Sequence, residues 1–465
     1  MAKEIKKIKR NPRFYLAIAA ARLIGGIIQL LGGKGSHWPG KVALSLCPDF
    51  LARVARPELV LAITGTNGKT TTANLLADSM KELGYDLAHN SYGSNIKEGV
   101  TTAIIQSASF WGGPNISCVI LEVDERASRI IFSELAPDYL IITNLFRESY
   151  ARNAHVEFIS KVLEDSIPDS TTLIVNADDL ISSRLRQNNM RYAFSVDRLP
   201  GEEEELPCLI DDLPLCPVCR SKLVFDFRRY NHLGKVHCPV CGLMNLTPDF
   251  SLKAHDDMLR VLVKGEIESY PAAGETVQDD YNALAAISLM RVLGHDAGEI
   301  AEAMTGKQVI ASRKEMIQAG EVTIFRTLAK GSNPIAVTRG LHTILRLPGT
   351  KAVLLLYGIG KSSSSYSDMT AWYYDTDFEL LADPEVRQIV ITGARMADLK
   401  VRLLLAGIPE EKLTLCQDSA KIAEAVSLEQ DNICILHELY AESLAEKTQS
   451  ILADKVMKER AINES

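Results

Sequence analysis

The sequence predicts an α/β protein in two parts: a parallel-sheet domain interrupted by a four-cysteine ribbon, and a smaller Rossmann-like α/β domain after it. Three observations predict it. A glycine-rich loop joins an apolar, β-prone run to a helical run between residues 59 and 83. Apolar strands then alternate with helical stretches along most of the chain. Two Cys-Pro-Val-Cys knuckles interrupt that alternation near its middle. At 465 residues the chain is too long for one hydrophobic core. Its 46% hydrophobic and 24% charged residues are ordinary for a globular protein. A net charge of -8 argues against a general nucleic-acid binder.

The first element, residues 1–55, is expected to be helical. Lys3, Lys6, Lys7, Lys9, Arg10 and Arg13 precede an apolar stretch from Phe14 to Leu31, a layout shared with signal peptides and membrane anchors. Arg22, Gly25, Gly26 and Gln29, however, fall on one helical face, and no small-residue cleavage site follows. The expectation is a helix packed on the body or resting on the inner membrane surface, not one that spans it.

Residues 56–310 are expected to form the main domain. Leu59–Ile63 reads as its first strand, and the helix runs from Thr70 to Leu83. Between them lies Gly65-Thr66-Asn67-Gly68-Lys69-Thr70-Thr71-Thr72. Such a loop wraps backbone N–H groups and a lysine around nucleotide phosphates and leaves a hydroxyl for Mg²⁺. Ile63 takes the place of the first glycine of the common pattern, but an ordinary turn has no need of Lys-Thr at a helix start. The expected ligand is ATP, held by Gly65, Thr66, Asn67, Gly68, Lys69, Thr70 and Thr71. Further strands are read at Cys118–Val123, Tyr139–Thr143 and Leu173–Val175, with the helical pattern returning at Asp280–Val292.

Inside this domain, residues 208–246 carry Cys216, Cys219, Cys238 and Cys241 on two tight knuckles joined by a possible hairpin. Four thiolates complete a tetrahedral Zn²⁺ site, and full coordination makes it structural. His232 and His237 are expected to flank it; Cys47, Cys118, Cys208, Cys416 and Cys434 lack ligand spacing and read as inert thiols. The last part, residues 311–465, places strands at 322–325, 352–357, 388–392, 413–416 and 433–436.

Several of these runs resemble the Mur ligase family. They are Thr64–Thr70, Leu121-Glu122-Val123-Asp124-Glu125, Thr143-Asn144-Leu145, Asn176-Ala177-Asp178-Asp179 and Tyr281–Ala286. The cysteine insert and Trp372–Glu379 resemble its MurT branch, and the resemblance covers most of the chain. It implies that ATP phosphorylates the α-carboxylate of D-glutamate in the lipid II stem peptide. Ammonia from a separate GatD-like glutaminase subunit, forming a heterodimer with this chain, then makes the amide. A cytoplasmic location follows.

Roles are assigned on that basis. Lys69 and the loop amides neutralise phosphate charge, Thr70 and Glu122 hold Mg²⁺, and Asn282 faces the nucleotide. Arg313 reaches the phosphates on closure. Asp368 is the nearest match to the aspartate that completes the partner's Cys-His pair, with Asp375 and Asp377 as rivals. Ser149, Ala151, Asp279 and Tyr357–Ser362 depart from the branch's pattern. Two other readings share the loop: an amino-acid ligase of the folylpolyglutamate synthase type, and a nucleotide-binding scaffold without chemistry.

Overall fold

The computed structural model describes the chain apart from residues 1–8, 34, 91–93, 110, 114, 148–154, 201, 203–208, 275, 308–313, 330–332, 359–369 and 464–465. Two compact units emerge, one of residues 1–146, 155–205 and 212–309, the other of residues 147–154, 206–211 and 310–465.

In the first unit the strands are β1 (Leu59–Thr64), β2 (Leu87–His89), β3 (Cys118–Glu122), β4 (Tyr139–Ile142), β5 (Thr172–Asn176) and β6 (Arg191–Val196). They are followed by β7 (Val224–Tyr230), β8 (Leu233–His237), β9 (Phe250–His255), β10 (Met258–Val263) and β11 (Glu266–Pro271). Nine of them make one sheet in the order β11-β10-β9-β6-β5-β4-β1-β3-β2. β1 lies parallel between β3 and β4, pairing Ile63 with Glu122 and with Ile141. Its side chains alternate between two cores, as the two-residue period of a strand requires. Val60 and Ala62 join Leu121, Leu140 and Phe14 on one face; Leu61 and Ile63 join Ile120, Leu76 and Leu284 on the other. A strand buried on both faces has no polar side to offer, which is why β1 reads as a continuous apolar run.

The sheet is not parallel throughout. From β2 to β9 every pairing is parallel, but β9, β10 and β11 form an antiparallel meander at the edge. Lys264 and Gly265 both have positive φ (49° and 92°), which turns β10 into β11 through two residues with the twist that hairpins favour. β7 and β8 pair with each other in a separate two-stranded sheet, making the hairpin expected between the cysteine knuckles.

Asn11 caps the N-terminal helix Pro12–Leu30 by accepting from the Phe14 N–H at 3.0 Å. Phe14, Ala17, Ile18 and Ala21 are buried in the core. Arg22 does not join an outward polar face: its guanidinium turns inward and donates to the carbonyls of Ile105 and Ala108. Ile105 lies in the last turn of the helix Lys97–Ser107 and Ala108 just past it, the negative end of the helix dipole, which favours a half-buried cation there.

The second unit adds β12 (Lys314–Ala319), β13 (Val322–Leu328), β14 (Lys351–Leu356), β15 (Val386–Thr392), β16 (Leu413–Cys416) and β17 (Asn432–His437). Their order is β12-β13-β17-β14-β15-β16, parallel except for the β12–β13 hairpin. The helices Pro334–Leu345, Met396–Leu405 and Glu442–Asn463 cover its faces, in the Rossmann-like manner expected.

Candidate functional site

The glycine loop leaves the carboxyl end of β1 and starts the helix Lys69–Glu82. Gly65 and Gly68 have φ of 126° and 86°, conformations that glycine adopts without penalty. Close neighbours also demand glycine at both. A Cβ on Gly65 would meet Thr143 Oγ1 at 2.2 Å, and one on Gly68 would meet Asn282 Oδ1 at 2.1 Å.

A set of hydrogen bonds holds the loop from the end of β4, with Thr66 N–H donating to Asn144 O at 2.8 Å. Asn67 N–H donates to Asn144 Oδ1 at 3.0 Å, and Asn144 Nδ2 returns a bond to Asn67 O at 3.1 Å. Thr143 Oγ1 donates to Asn67 O at 2.7 Å, and Phe146 N–H to Thr66 Oγ1 at 2.9 Å. The helix N-terminus that follows this loop is the kind of site that attracts an anion. Lys69 Nζ meets Glu125 Oε1 at 2.9 Å and Thr66 O at 3.3 Å, and also donates to Gly65 O. Thr70 Oγ1 donates to Glu122 Oε2 at 2.7 Å, and Asn95 Nδ2 donates to Glu122 Oε1 at 3.0 Å. Asn90 completes the frame: its Oδ1 accepts from Glu122 N–H at 2.7 Å and its Nδ2 donates to Glu122 O at 2.8 Å. A hydroxyl and an acidic side chain converge here beside a phosphate loop, the donor chemistry that a hard Mg²⁺ ion takes.

The loop is also linked to the cysteine hairpin. Asp179 accepts from Leu145 N–H at 2.8 Å, next to Asn144, and meets His232 Nε2 at 3.0 Å, both side chains being fully buried. Burial by itself raises the Asp179 carboxyl, but His232 and the surrounding donors outweigh it and hold it below the usual carboxylate range. Neighbouring Asp178 goes the other way. Burial pushes it up to about 6 despite Arg229, the Tyr281 hydroxyl and Val196 N–H. His232 thus serves the sheet, and His237 faces Asp226 at 3.5 Å; neither is among the clustered ligand atoms, which are the four cysteine sulfurs. Those sulfurs lie within 4.8 Å of one another. A tetrahedral Zn–S site needs sulfurs about 3.8 Å apart, so the donor set fits zinc.

The sequence-predicted residues Gly65 to Thr71, Glu122 and Asn282 come together at this one end of the sheet. Arg313 and Asp368 lie outside the described residues, as do Glu148, Ser149 and Ala151. In the second unit Asp375 meets Arg147 at 3.7 Å. Asp377 is buried; its Oδ1 accepts from Leu209 N–H at 2.8 Å. Asp279, off-pattern in the sequence, caps the helix Val277–Val292 in reciprocal bonds with Thr276. Sequence reasoning gives no role to Asn90 or Asn95, nor to Gln278 on the helix Val277–Val292, whose Nε2 donates to Asn282 Oδ1 at 3.2 Å beside Gly68. Amides carry no motif of their own, and only the folded chain brings these three to the loop.

A phosphate-type loop on a central parallel strand, with an acidic neighbour one strand away, defines a nucleotide-binding α/β protein. The Mur ligase middle domain matches residues 63–204, and the MurT ligase C-terminal domain matches residues 328–441. Together they take in more than half of the chain, which belongs to the Mur ligase family, in its MurT branch. The chain is 28% identical to the lipid II isoglutaminyl synthase (glutamine-hydrolyzing) subunit MurT of Staphylococcus aureus strain COL, over 85% of this chain and 89% of that one. It is 28% identical to its namesake from Streptococcus pneumoniae, over 90% and 92%. Among solved structures, the pseudomurein peptide ligase type C of Methanothermus fervidus superposes with a TM-score of 0.63 at 18% identity, covering 88% of this chain and 84% of that one. MurF from Acinetobacter baumannii gives 0.58 at 16%, covering 89% and 80%. These two share the fold.

Proposed function

We propose that the chain is the ligase subunit of a glutamine-dependent amidating enzyme of peptidoglycan synthesis, acting on the stem-peptide D-glutamate of lipid II in the cytoplasm. A carboxylate oxygen attacks the γ-phosphorus of ATP and ADP leaves, giving an acyl phosphate. Ammonia delivered by a glutaminase partner attacks the acyl carbon; phosphate departs and the nitrogen sheds a proton, leaving the amide. Lys69 and the loop N–H groups carry the negative charge that moves towards the β-phosphate. Thr70 and Glu122 hold Mg²⁺, which supplies further neutralisation when bound. Asn282 faces the nucleotide, and Arg313 is assigned a further contact to the phosphates. Asp368, or its rivals Asp375 and Asp377, serves the partner's histidine. Residues 1–55, 56–310 and 311–465 act as helical segment, ATP-binding domain and C-terminal domain, and the four cysteines hold a structural Zn²⁺.

The observation that carries this reading is the convergence of Lys69, Thr70 and Glu122 at one end of β1 in a chain that aligns with MurT subunits over most of its length. The test is glutamine-dependent amidation of lipid II by the chain co-purified with its glutaminase. Lys69→Ala is expected to abolish amidation with folding retained; full amidation by that variant overturns the reading.

A further inference from the structure

We propose that the outward face of the N-terminal helix is a surface anchor for an anionic lipid bilayer. The helix Pro12–Leu30 is docked along one side only. Phe14, Ala17, Ile18 and Ala21 are buried in the core, and Arg22 is bonded inward. The opposite side is apolar and open. Leu16 is 60% exposed, Leu23 67%, Ile27 47%, Leu30 88% and Leu31 81%. Leu16, Leu23, Ile27 and Leu30 follow the helical repeat and form one stripe, with Ala19 and Gly26 filling the gaps. From Phe14 to Leu31 the exposed residues include no charged side chain. A helix facing water ordinarily carries its polar residues outward; here the pattern is reversed.

Three further observations select a bilayer as the occupant. First, between Ile5 and Pro48 the chain has eight lysines and arginines and no aspartate or glutamate, an excess of eight positive charges in a protein whose total is -8. An anionic leaflet attracts such a segment, whereas a second copy of the same face would bring an equal positive charge against it. Second, two of the chain's three tryptophans stand beside this helix and are exposed. Trp111, 67% exposed, lies 6.4 Å from Tyr15 near the start of the helix. Trp38, 56% exposed, opens the helix Trp38–Leu46, whose Pro39 packs against Gly25 in the later half. Indole rings favour the headgroup region, where one edge is wet and the other apolar. Third, the inner half of the helix is part of a folded core, so the helix lies in the membrane plane and does not cross it.

The use of this anchor rests on the lipid-linked substrate proposed above: lying on the leaflet converts a search in three dimensions into one in two. The exposed apolar stripe and its basic surroundings stand whatever the substrate, and the anchor is tested separately. The full chain is sedimented with vesicles of phosphatidylcholine alone, or containing about a third phosphatidylglycerol, at low and high salt. Trp38 and Trp111 emission is followed in parallel. Expected are binding to the anionic vesicles, a blue shift, weakening by salt, and at least a tenfold loss in the double variant Leu23→Glu, Leu30→Glu. Both residues are largely exposed, so Mg-ATP binding and the circular dichroism spectrum stay unchanged. No binding, equal binding by the variant, or a self-associated species in light scattering that the variant dissolves each overturns the proposal. Amidation of a water-soluble stem-peptide substrate separates the two claims. If it persists without vesicle binding, only the anchor falls; if it is absent while vesicles bind, only the ligase reading falls.

Discussion

Thr70 Oγ1 points at Glu122 Oε2 across 2.7 Å, joining the first turn of the loop helix to the end of the neighbouring strand. If this pair grips Mg²⁺, losing the hydroxyl removes an oxygen ligand while leaving the fold intact. Thr70→Val is expected to lower the rate of ADP formation by roughly 10²–10³, and Thr70→Ser to keep most of it. Glu122→Gln is expected to raise the half-saturating Mg²⁺ concentration at least tenfold. Steady-state ADP release over a Mg²⁺ titration checks all three, and an unimpaired Thr70→Val rejects the ligand role.

Gly68 is fixed twice, by a φ of 86° and by Asn282. Gly68→Ala forces a left-handed non-glycine residue, costing about 1–2 kcal/mol, and drives its methyl group into the Asn282 amide. Affinity for Mg-ATP is expected to drop at least tenfold, whereas Asn282→Ala, which opens space, costs less. Titration calorimetry distinguishes the two.

His232 and Asp179 carry the effect of metal removal. The β7–β8 hairpin is a two-stranded ribbon, marginal by itself in water, and the cysteines close its base. Because His232 on that hairpin meets Asp179, and Asp179 accepts from Leu145 beside the loop, loosening the hairpin reaches the nucleotide site. Cys216→Ser is expected to release one Zn²⁺ per chain in a chromogenic chelator assay, to lower the thermal midpoint by several degrees and to weaken ATP binding. A zinc-free wild type with unchanged midpoint and affinity contradicts this.

Asp377 sets a pH dependence. Burial pushes its carboxyl up to about 6, against the Leu209 N–H that favours the anion, and its buried Oδ2 has no hydrogen-bond partner among the described residues. A folded-state value above the unfolded one means that the native protein holds an extra proton between about pH 4 and 6. This group's contribution to stability therefore falls as pH rises through that window. Asp377→Asn is expected to raise stability at about pH 8 by about 1–2 kcal/mol and to change nothing near pH 4. Thermal midpoints across pH read this out. A loss of glutamine hydrolysis in the same variant favours Asp377 over Asp375 and Asp368 as the residue that serves the partner.

How much was legible depended on whether a feature was local. Gly65 to Thr71 could be read because strand, turn and helix signals sit side by side, and β1 could be read because a strand buried on both faces is apolar throughout. The meander β9–β11 gives no such local signal. Its strands alternate apolar and polar residues over short lengths, with a Lys-Gly turn where Asn-Gly or Asp-Gly would have stood out. Periodicity puts Arg22 on one helical face with Gly25, Gly26 and Gln29, but it reports which residues share a side, not which way that side turns. Asn90 and Asn95 frame Glu122 from 32 and 27 residues away, a relation that only the assembled sheet makes visible.

The contact between Gly68 and Asn282 spans more than two hundred positions of the polypeptide. During synthesis the glycine turn leaves the ribosome long before the helix that seals it, so the ATP cradle stays unfinished until most of the first unit has emerged. A product cut short ahead of Val277 keeps every residue of the signature motif and is left without the wall that Asn282 supplies.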